Sequence, residues 1–217
     1  MRKYRDSRHS TKLSVLVLAL GMIASPMLAE DQEDAWVLLG ELRDGLTAAA
    51  QAASFVQHFL PAGFATGDQE SGKLYLSLPE CVRWDYLLPY PKTFLFCETT
   101  LYTWNPGDEA GRRLLLPDSD QPGVDLLRLQ LDDLRQRYLA EVERSLDGST
   151  EVVLSPRSED VEIAEARLTI DATGRRLKAL SYRDREGNSS RFEITAYQSL
   201  VDGGHFDPPA DIEWFDQ

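Results

Sequence analysis

Residues 74–104 limit the possible folds more than any other part of the chain: LYLSLPECVRWDYLLPYPKTFLFCETTLYTW. Apolar and polar side chains alternate through it with a period of two, the pattern of strands covered on one face. Leu74, Leu76 and Leu78 share one face, and Lys73, Tyr75 and Ser77 the other. Val82, Trp84 and Tyr86 then alternate with Cys81, Arg83 and Asp85, and Phe94 and Phe96 with Leu95 and Cys97. Leu101 to Trp104 closes the group before the turn NPGDEAG. Pro79 marks an edge position or a bulge, across which the register is free to shift. Sheet this rich in leucine and aromatics needs a large apolar partner, either the chain's own helices or an apolar ligand.

Cys81 and Cys97 are the two cysteines of the sequence. The segment LLPYP between them supplies a turn, and a hairpin centred near Pro89 sets the two opposite each other on one face. In an oxidising compartment such a pair is predicted to form a structural disulfide.

Helical spacing governs the region from Glu30 onward. Glu30, Asp31, Glu33 and Asp34 crowd the expected first turn, where the helix dipole favours acids. Leu39, Leu42, Leu46, Ala49 and Ala53 form one apolar stripe that runs on into the alanine-rich TAAAQAA. Phe55, Gln57 and Phe59 then alternate with Val56, His58 and Leu60 as a strand. Residues 105–123 read as loop. A second amphipathic helix begins at Val124, with Leu127, Leu131 and Leu134 spaced helically, while Tyr138, Ala140 and Val142 also fit a strand. The last third is a meander: Val152 and Leu154 lie on one strand, and Ala164, Ala166, Leu168 and Ile170 share a face of the next. Phe192, Ile194 and Ala196 face one way on another, with short polar turns DATGR and DREGN between strands. The count is ten or eleven strands with two or three helices, in one α+β domain.

The N-terminus reads as an export signal. Arg2, Lys3, Arg5, Arg8 and Lys12 precede the apolar run LSVLVLALGMIA, and SPMLA places cleavage near Ala29. The domains are then residues 1–29, a signal peptide, and 30–217, the functional domain; an uncleaved N-terminal anchor is the alternative. Removing the signal takes away those five cations and Asp6, moving the formal net charge from −13 to −17. Such a polyanion is a poor partner for nucleic acid or for an anionic lipid surface.

Catalytic patterns are missing. The exported domain keeps His58 and His205, far apart, and has no metal-ligating, nucleophile-elbow or phosphate-loop motif. Asp132–Asp133 and Glu159–Asp160 read as solvated acids. An enzyme, a resident metal and a cofactor are not expected.

ASFVQHF from Ala53, QESGKLYLSLP and RWDYLLP, in that order, resemble the LolA family of periplasmic outer-membrane lipoprotein carriers. LLLPDSDQPGVDLL falls where that family has its lid region. VVLSPRS, LTIDATGRRLKALSYRDREGN and SRFEITAY resemble its later strands, and FDPPADI its ending. The likeness covers residues 35–214. It implies an incomplete, half-open antiparallel β-barrel of about eleven strands with an N-terminal helix and short lid helices. It also implies a monomeric periplasmic carrier holding lipoprotein acyl chains. Its donor would be an inner-membrane lipoprotein-release complex and its acceptor an outer-membrane lipoprotein.

The expected cavity lining is Phe55, Leu74, Leu76, Leu78, Val82, Trp84, Tyr86, Phe94 and Phe96. The same residues serve equally as ordinary core. The family commonly has an arginine, thought to latch the lid, immediately before the proline after its second strand; here Leu78 occupies that position. Alternation turns Arg83 away from it. A half-barrel carrier of free lipid or glycolipid and a lipoprotein-sensing regulator of envelope stress are the alternatives; the regulators have an extra C-terminal domain.

Overall fold

The computed structural model describes residues 26–116, 126–128, 130–144, 149–201 and 204–216, with side chains from Asp34 onward apart from that of Arg144. Most of the expected signal peptide, residues 1–25, lies outside the described residues. Helix α1 spans Pro26–Thr47. Six strands follow in turn: β1 Gln51–Leu60, β2 Asp68–Ser77, β3 Cys81–Leu88, β4 Lys92–Cys97, β5 Thr100–Trp104 and β6 Ala110–Leu115. A short helix, α2 (Leu131–Arg137), leads directly into β7 (Tyr138–Arg144). Then come β8 Thr150–Pro156, β9 Ile163–Ile170, β10 Leu177–Asp184 and β11 Ser189–Ser199. A 3-10 turn at Gly204–Phe206 and β12 at Glu213–Asp216 complete the described elements.

These strands form one sheet in the order β12-β6-β5-β4-β3-β2-β1-β11-β10-β9-β8-β7. Strands β1 to β6 make one antiparallel meander and β7 to β11 another. They join where β1 pairs with β11, from Gln51↔Ser199 to Leu60↔Ser189. Only β12 runs parallel to its neighbour, with Glu213↔Ala110 and Asp216↔Arg113. The order never returns on itself, so the sheet is an open half-barrel, antiparallel apart from that edge. The expected fold class is therefore the observed one, with twelve strands.

One face of the sheet is apolar from β4 across β1 and β11 to β7, and α1 lies against it. Leu39, Leu42 and Leu46 are fully buried there, in one cluster with Leu74, Val82, Leu154, Leu168 and Ile194. Gly45 lets α1 approach the turn after β9, since a Cβ there would lie 2.4 Å from the Arg175 carbonyl oxygen. None of the described helices is long and apolar enough to cross a membrane.

Several local expectations are corrected. Helix α1 starts at Pro26, so the acids at 30–34 fall beyond its first turn. It stops at Thr47, and Ala49 is exposed and Ala53 sits in β1. The Gln51 side-chain amide donates to the carbonyls of Gly45 and Leu46 (3.0 and 3.2 Å), satisfying acceptors a helix end leaves open. Pairing of β1 on both sides then overrides the helix propensity of the alanines. Pro79 lies in the β2–β3 turn, and the pairs Leu76↔Val82 and Leu74↔Trp84 pass through it without a shift.

Residues 110–115, expected as loop, are strand β6. A register shift near the start of β9 buries Ile163 and leaves Ala164 half-exposed. At the far end of β11 another irregularity leaves Ala196 exposed, with φ at +53°, and Tyr197 takes the inward position. The Tyr197 hydroxyl donates to the Leu177 carbonyl (2.8 Å). The second helix ends at Arg137, and Tyr138, Ala140 and Val142 are indeed strand, the first two buried.

Cys81 and Cys97 are directly paired in the β3–β4 ladder and joined by a disulfide. The cross-link closes a loop with a sequence separation of 16. Replacing both cysteines by serine is expected to leave the fold intact and lower its stability by about 3 kcal/mol, as loop-closure entropy predicts. Urea unfolding of the oxidised protein and the double variant measures this.

Candidate functional site

The residues expected to line a cavity come together as a grid on the concave face. Cross-strand pairing places Leu76, Val82, Phe96 and Leu101 in one row. The next row holds Ala53, Leu74, Trp84 and Phe94. The third places Phe55 beside Gly72 and Gly72 beside Tyr86. Leu78 continues the face into the turn. Seven of the nine predicted residues belong to one apolar cluster and Phe94, half-buried, packs against it; Phe96 is buried as well. Strand periodicity and unbroken register are sufficient to align them.

Gly72 is what makes the third row possible. A Cβ there would lie 1.9 Å from the Asp85 carbonyl oxygen and 3.0 Å from the Phe55 ring. With no side chain in between, the Phe55 and Tyr86 rings meet edge-to-face at 5.0 Å. Phe94 continues the aromatic row from Tyr86 at 5.8 Å, and Phe192 continues it from Phe55 at 6.2 Å. Tyr182 stacks on Phe192 beyond. Tyr86 donates its hydroxyl to Gln57 Oε1 (2.7 Å). Burial, reinforced by the charge of Glu70, pushes its phenol well above the ordinary range, so it stays a neutral donor.

Phe192 was legible from alternation, but nothing local marked it or Tyr182 as neighbours of Phe55. That adjacency comes from the β1–β11 pairing, which joins residues far apart in sequence.

The cover over this grid is thin. It consists of α1, the helical turn at 126–128 and α2, which contribute Leu39, Leu42, Leu46, Leu126, Leu127 and Leu134 to the cluster. Arg128 ties the cover to the rim. Its Nε donates to the Pro79 carbonyl and its Nη1 to the Glu98 carbonyl, each at 3.2 Å. The guanidinium carbon also lies 4.9 Å from the centre of the Phe96 ring. The two acceptors sit in the turns that flank the disulfide, where Glu98 N–H bonds the Glu80 carbonyl (2.9 Å). A cleft of about 420 Å³ opens beside Arg128, bounded by Phe96, Leu116, Leu134 and Arg137. No sequence pattern had singled out Arg128.

The opposite, convex face bears out the expected direction of Arg83. That side chain makes a two-point ion pair with Asp85 (2.7 and 3.0 Å) and donates to the His205 carbonyl (2.9 Å). The His205 ring stacks on Tyr75 at 4.6 Å. Trp214 packs edge-on against Tyr102 and Trp104 at 5.2 and 5.8 Å. The segment from Gly204 to Asp216 thus builds a second, aromatic core behind β2–β6 that alternation did not reveal. His58 is exposed on β1. Among the described residues no group of three or more His, Cys, Asp or Glu side chains is placed to hold a metal.

An open antiparallel sheet curled over an apolar face beneath a helical cover defines the half-barrel class of fold. The sequence profile of the family described as outer membrane lipoprotein carrier protein LolA matches residues 47–207, and the chain belongs to that family. No curated protein sequence is significantly similar to it.

Among solved structures, an uncharacterised conserved protein from Thermus thermophilus superposes with a TM-score of 0.54 at 12% identity. The match covers 85% of this chain and 99% of that one. MucB superposes with a TM-score of 0.50 at 12% identity, covering 83% of this chain and 65% of its own. A LolA superfamily protein from Nitrosomonas europaea gives 0.43 at 14% identity, over 79% and 95%. At such identities the likeness to these structures is one of fold.

Replacing Arg128 by methionine removes both rim hydrogen bonds and keeps most of the packing on Phe96. A stability loss of about 1–2 kcal/mol is expected, as two such bonds are worth net. Amides of residues 126–137 are expected to exchange hydrogen faster while those of β1–β4 do not, which mass-spectrometric exchange resolves.

Proposed function

We propose that the protein is a carrier that holds the acyl chains of lipoproteins against its concave face while they cross the periplasm. The observation that carries this reading is the aromatic and leucine grid of β1–β4, continued by Phe192 and Tyr182, beneath a cover made of one helix and short pieces. The resemblance of the sequence and its family membership supply the cargo class.

The energetics suit a carrier. Each CH₂ withdrawn from water is worth about 0.8 kcal/mol, so a long acyl chain stays in solution only if enclosed. Most of the grid residues share one buried cluster with leucines from α1, the turn at 126–128 and α2. An acyl chain entering between sheet and cover exchanges one apolar contact for another, so loading costs little beyond displacing the cover. Release then follows from a better apolar acceptor, with no chemical step in this chain. The donor would be an inner-membrane lipoprotein-release complex, and the acceptor an outer-membrane lipoprotein. A monomer released from its signal near Ala29 fits that path.

One observation supports a second cargo. Leu78 stands where the family commonly has its latching arginine, and it faces the interior. The cover is instead held from its own side by Arg128. A half-barrel closed differently suits a free lipid or glycolipid as well.

Native and lipid mass spectrometry of the protein isolated from the periplasm of a Gram-negative host separates these readings. A bound triacylated peptide is the expected result. Phospholipid or glycolipid in its place would keep the site and change the cargo, and an empty protein would overturn both. Replacing Trp84 by aspartate, which puts a charge in the middle of the grid, is expected to abolish the bound species; stability is expected to fall as well, by several kcal/mol.

A further inference from the structure

Two loops at one end of the sheet carry no charged side chain. Phe59–Gly67 reads FLPAGFATG and Tyr86–Pro91 reads YLLPYP, in a chain whose residues are 27% charged. That composition would place about four charges in those fifteen positions. The loops instead display apolar groups: Phe64 is 67% exposed, Leu87 51%, Leu88 65% and Tyr90 75%. The pairs Phe59↔Asp68 and Ser71↔Leu88 bring both loops out at the same end of β1–β4.

The display is built into the backbone. Phe64 N–H donates to the Pro61 carbonyl (3.2 Å), and Ala62 N–H donates to Asn188 Oδ1 (3.0 Å) on the neighbouring β10–β11 turn. Gly63 supplies the left-handed residue that this turn requires, with φ at +79°. Tyr90 stands between Pro89 and Pro91, whose rings restrict the backbone on both sides. At the foot of the second loop Lys92 is paired with Glu70 (2.7 Å), so no uncompensated cation stands behind the tip. The same end of the sheet is acidic toward β10: Glu159, Asp160, Glu162, Asp184 and Glu186, against one cation, Arg185, border a cleft that includes Phe59 and Tyr182.

We infer that these two loops are a docking surface for a zwitterionic lipid bilayer, into which Phe64, Leu87, Leu88 and Tyr90 dip. Uncharged leucine, phenylalanine and tyrosine on protruding turns have the composition of side chains that settle at a bilayer interface. The cleft at this end is lined by Phe59 but by none of Phe64, Leu87, Leu88 and Tyr90, and between 86 and 91 the exposed polar side chain is the Tyr90 hydroxyl. A protein partner would need shape complementarity and directional hydrogen bonds, whereas a bilayer accepts separate apolar points. The acidic border sets the sign of lipid preference. Anionic headgroups are repelled, the reverse of what polybasic peripheral proteins show.

The inference deepens the carrier reading and rests on it for purpose alone. The loops end the strands that carry Phe55, Tyr86 and Phe94, so docking would hold the acyl-binding face at the membrane from which cargo comes or to which it goes.

Cosedimentation of the exported protein with phosphatidylcholine vesicles tests the contact. The wild type is expected to partition onto them. The triple variant Leu87→Ser, Leu88→Ser, Tyr90→Ser is expected to lose that partitioning by roughly tenfold or more, and Phe64→Ser to lose part of it, as apolar transfer predicts. Mixing phosphatidylglycerol into the vesicles at low salt is expected to weaken wild-type binding by about threefold.

The four side chains are exposed, so unchanged circular dichroism and melting confirm that the variants fold. Absence of wild-type binding, equal binding by the triple variant, or tighter binding to the anionic vesicles overturns the inference. So does lipid-free self-association that disappears in the triple variant, which would assign the loops to a second copy of the chain. Failure of the carrier reading shows separately, as absence of acylated cargo in the mass spectrum, and leaves the vesicle result standing.

Discussion

The ladder between β1 and β11 holds the molecule together. Each meander is local, formed by hairpins whose partners are near in sequence, and each could curl separately. Pairing Gln51–Leu60 with Ser189–Ser199 turns two small sheets into one curved surface. It sets Phe55 beside Phe192 and makes the apolar face continuous from β4 to β9. The bulge at Ala196 and the inward turn of Tyr197 lie in this same seam. Both bend β11 without breaking the face it completes.

Once that surface exists, its covering is constrained. A twelve-stranded sheet with one apolar face must hide it, and an open sheet has no second sheet to use. Helix α1 serves along β7, and the turn at 126–128 with α2 serves over the rim. The cover is hydrophobic where it meets the grid and polar where it meets the rim. Its attachment therefore divides into non-directional leucine burial and the directional bonds of Arg128. An occupant that competes for the first kind of contact still leaves the second to be broken.

Much of this was legible in the sequence wherever a rule of period two applied. The faces of β2, β3 and β4, the opposed cysteines and the outward Arg83 all follow from alternation and one well-placed turn. What escaped depends on partners distant in sequence. The alanines after Thr47 are good helix formers, and only pairing on both sides makes residues 51–60 a strand. Bulges shifted the inward positions to Ile163 and Tyr197, because one extra residue reverses every face beyond it. Strand β12 pairs in parallel with β6 across a span of about a hundred residues, which no local pattern announces. Arg128 was invisible for a different reason: its partners are carbonyl groups, which every residue possesses.

That last feature bears on how such a protein tolerates change. A side-chain acceptor can be lost by one substitution or silenced by a proton, but the carbonyls of residues 79 and 98 survive almost any replacement of the side chains beside them. The residues around the two turns are thereby free to drift and to meet different surroundings, while the attachment persists as long as the turns keep their shape. Cys81 and Cys97, adjoining both turns, protect that shape. The rim is thus maintained as geometry, with the whole chemical requirement concentrated in a single arginine.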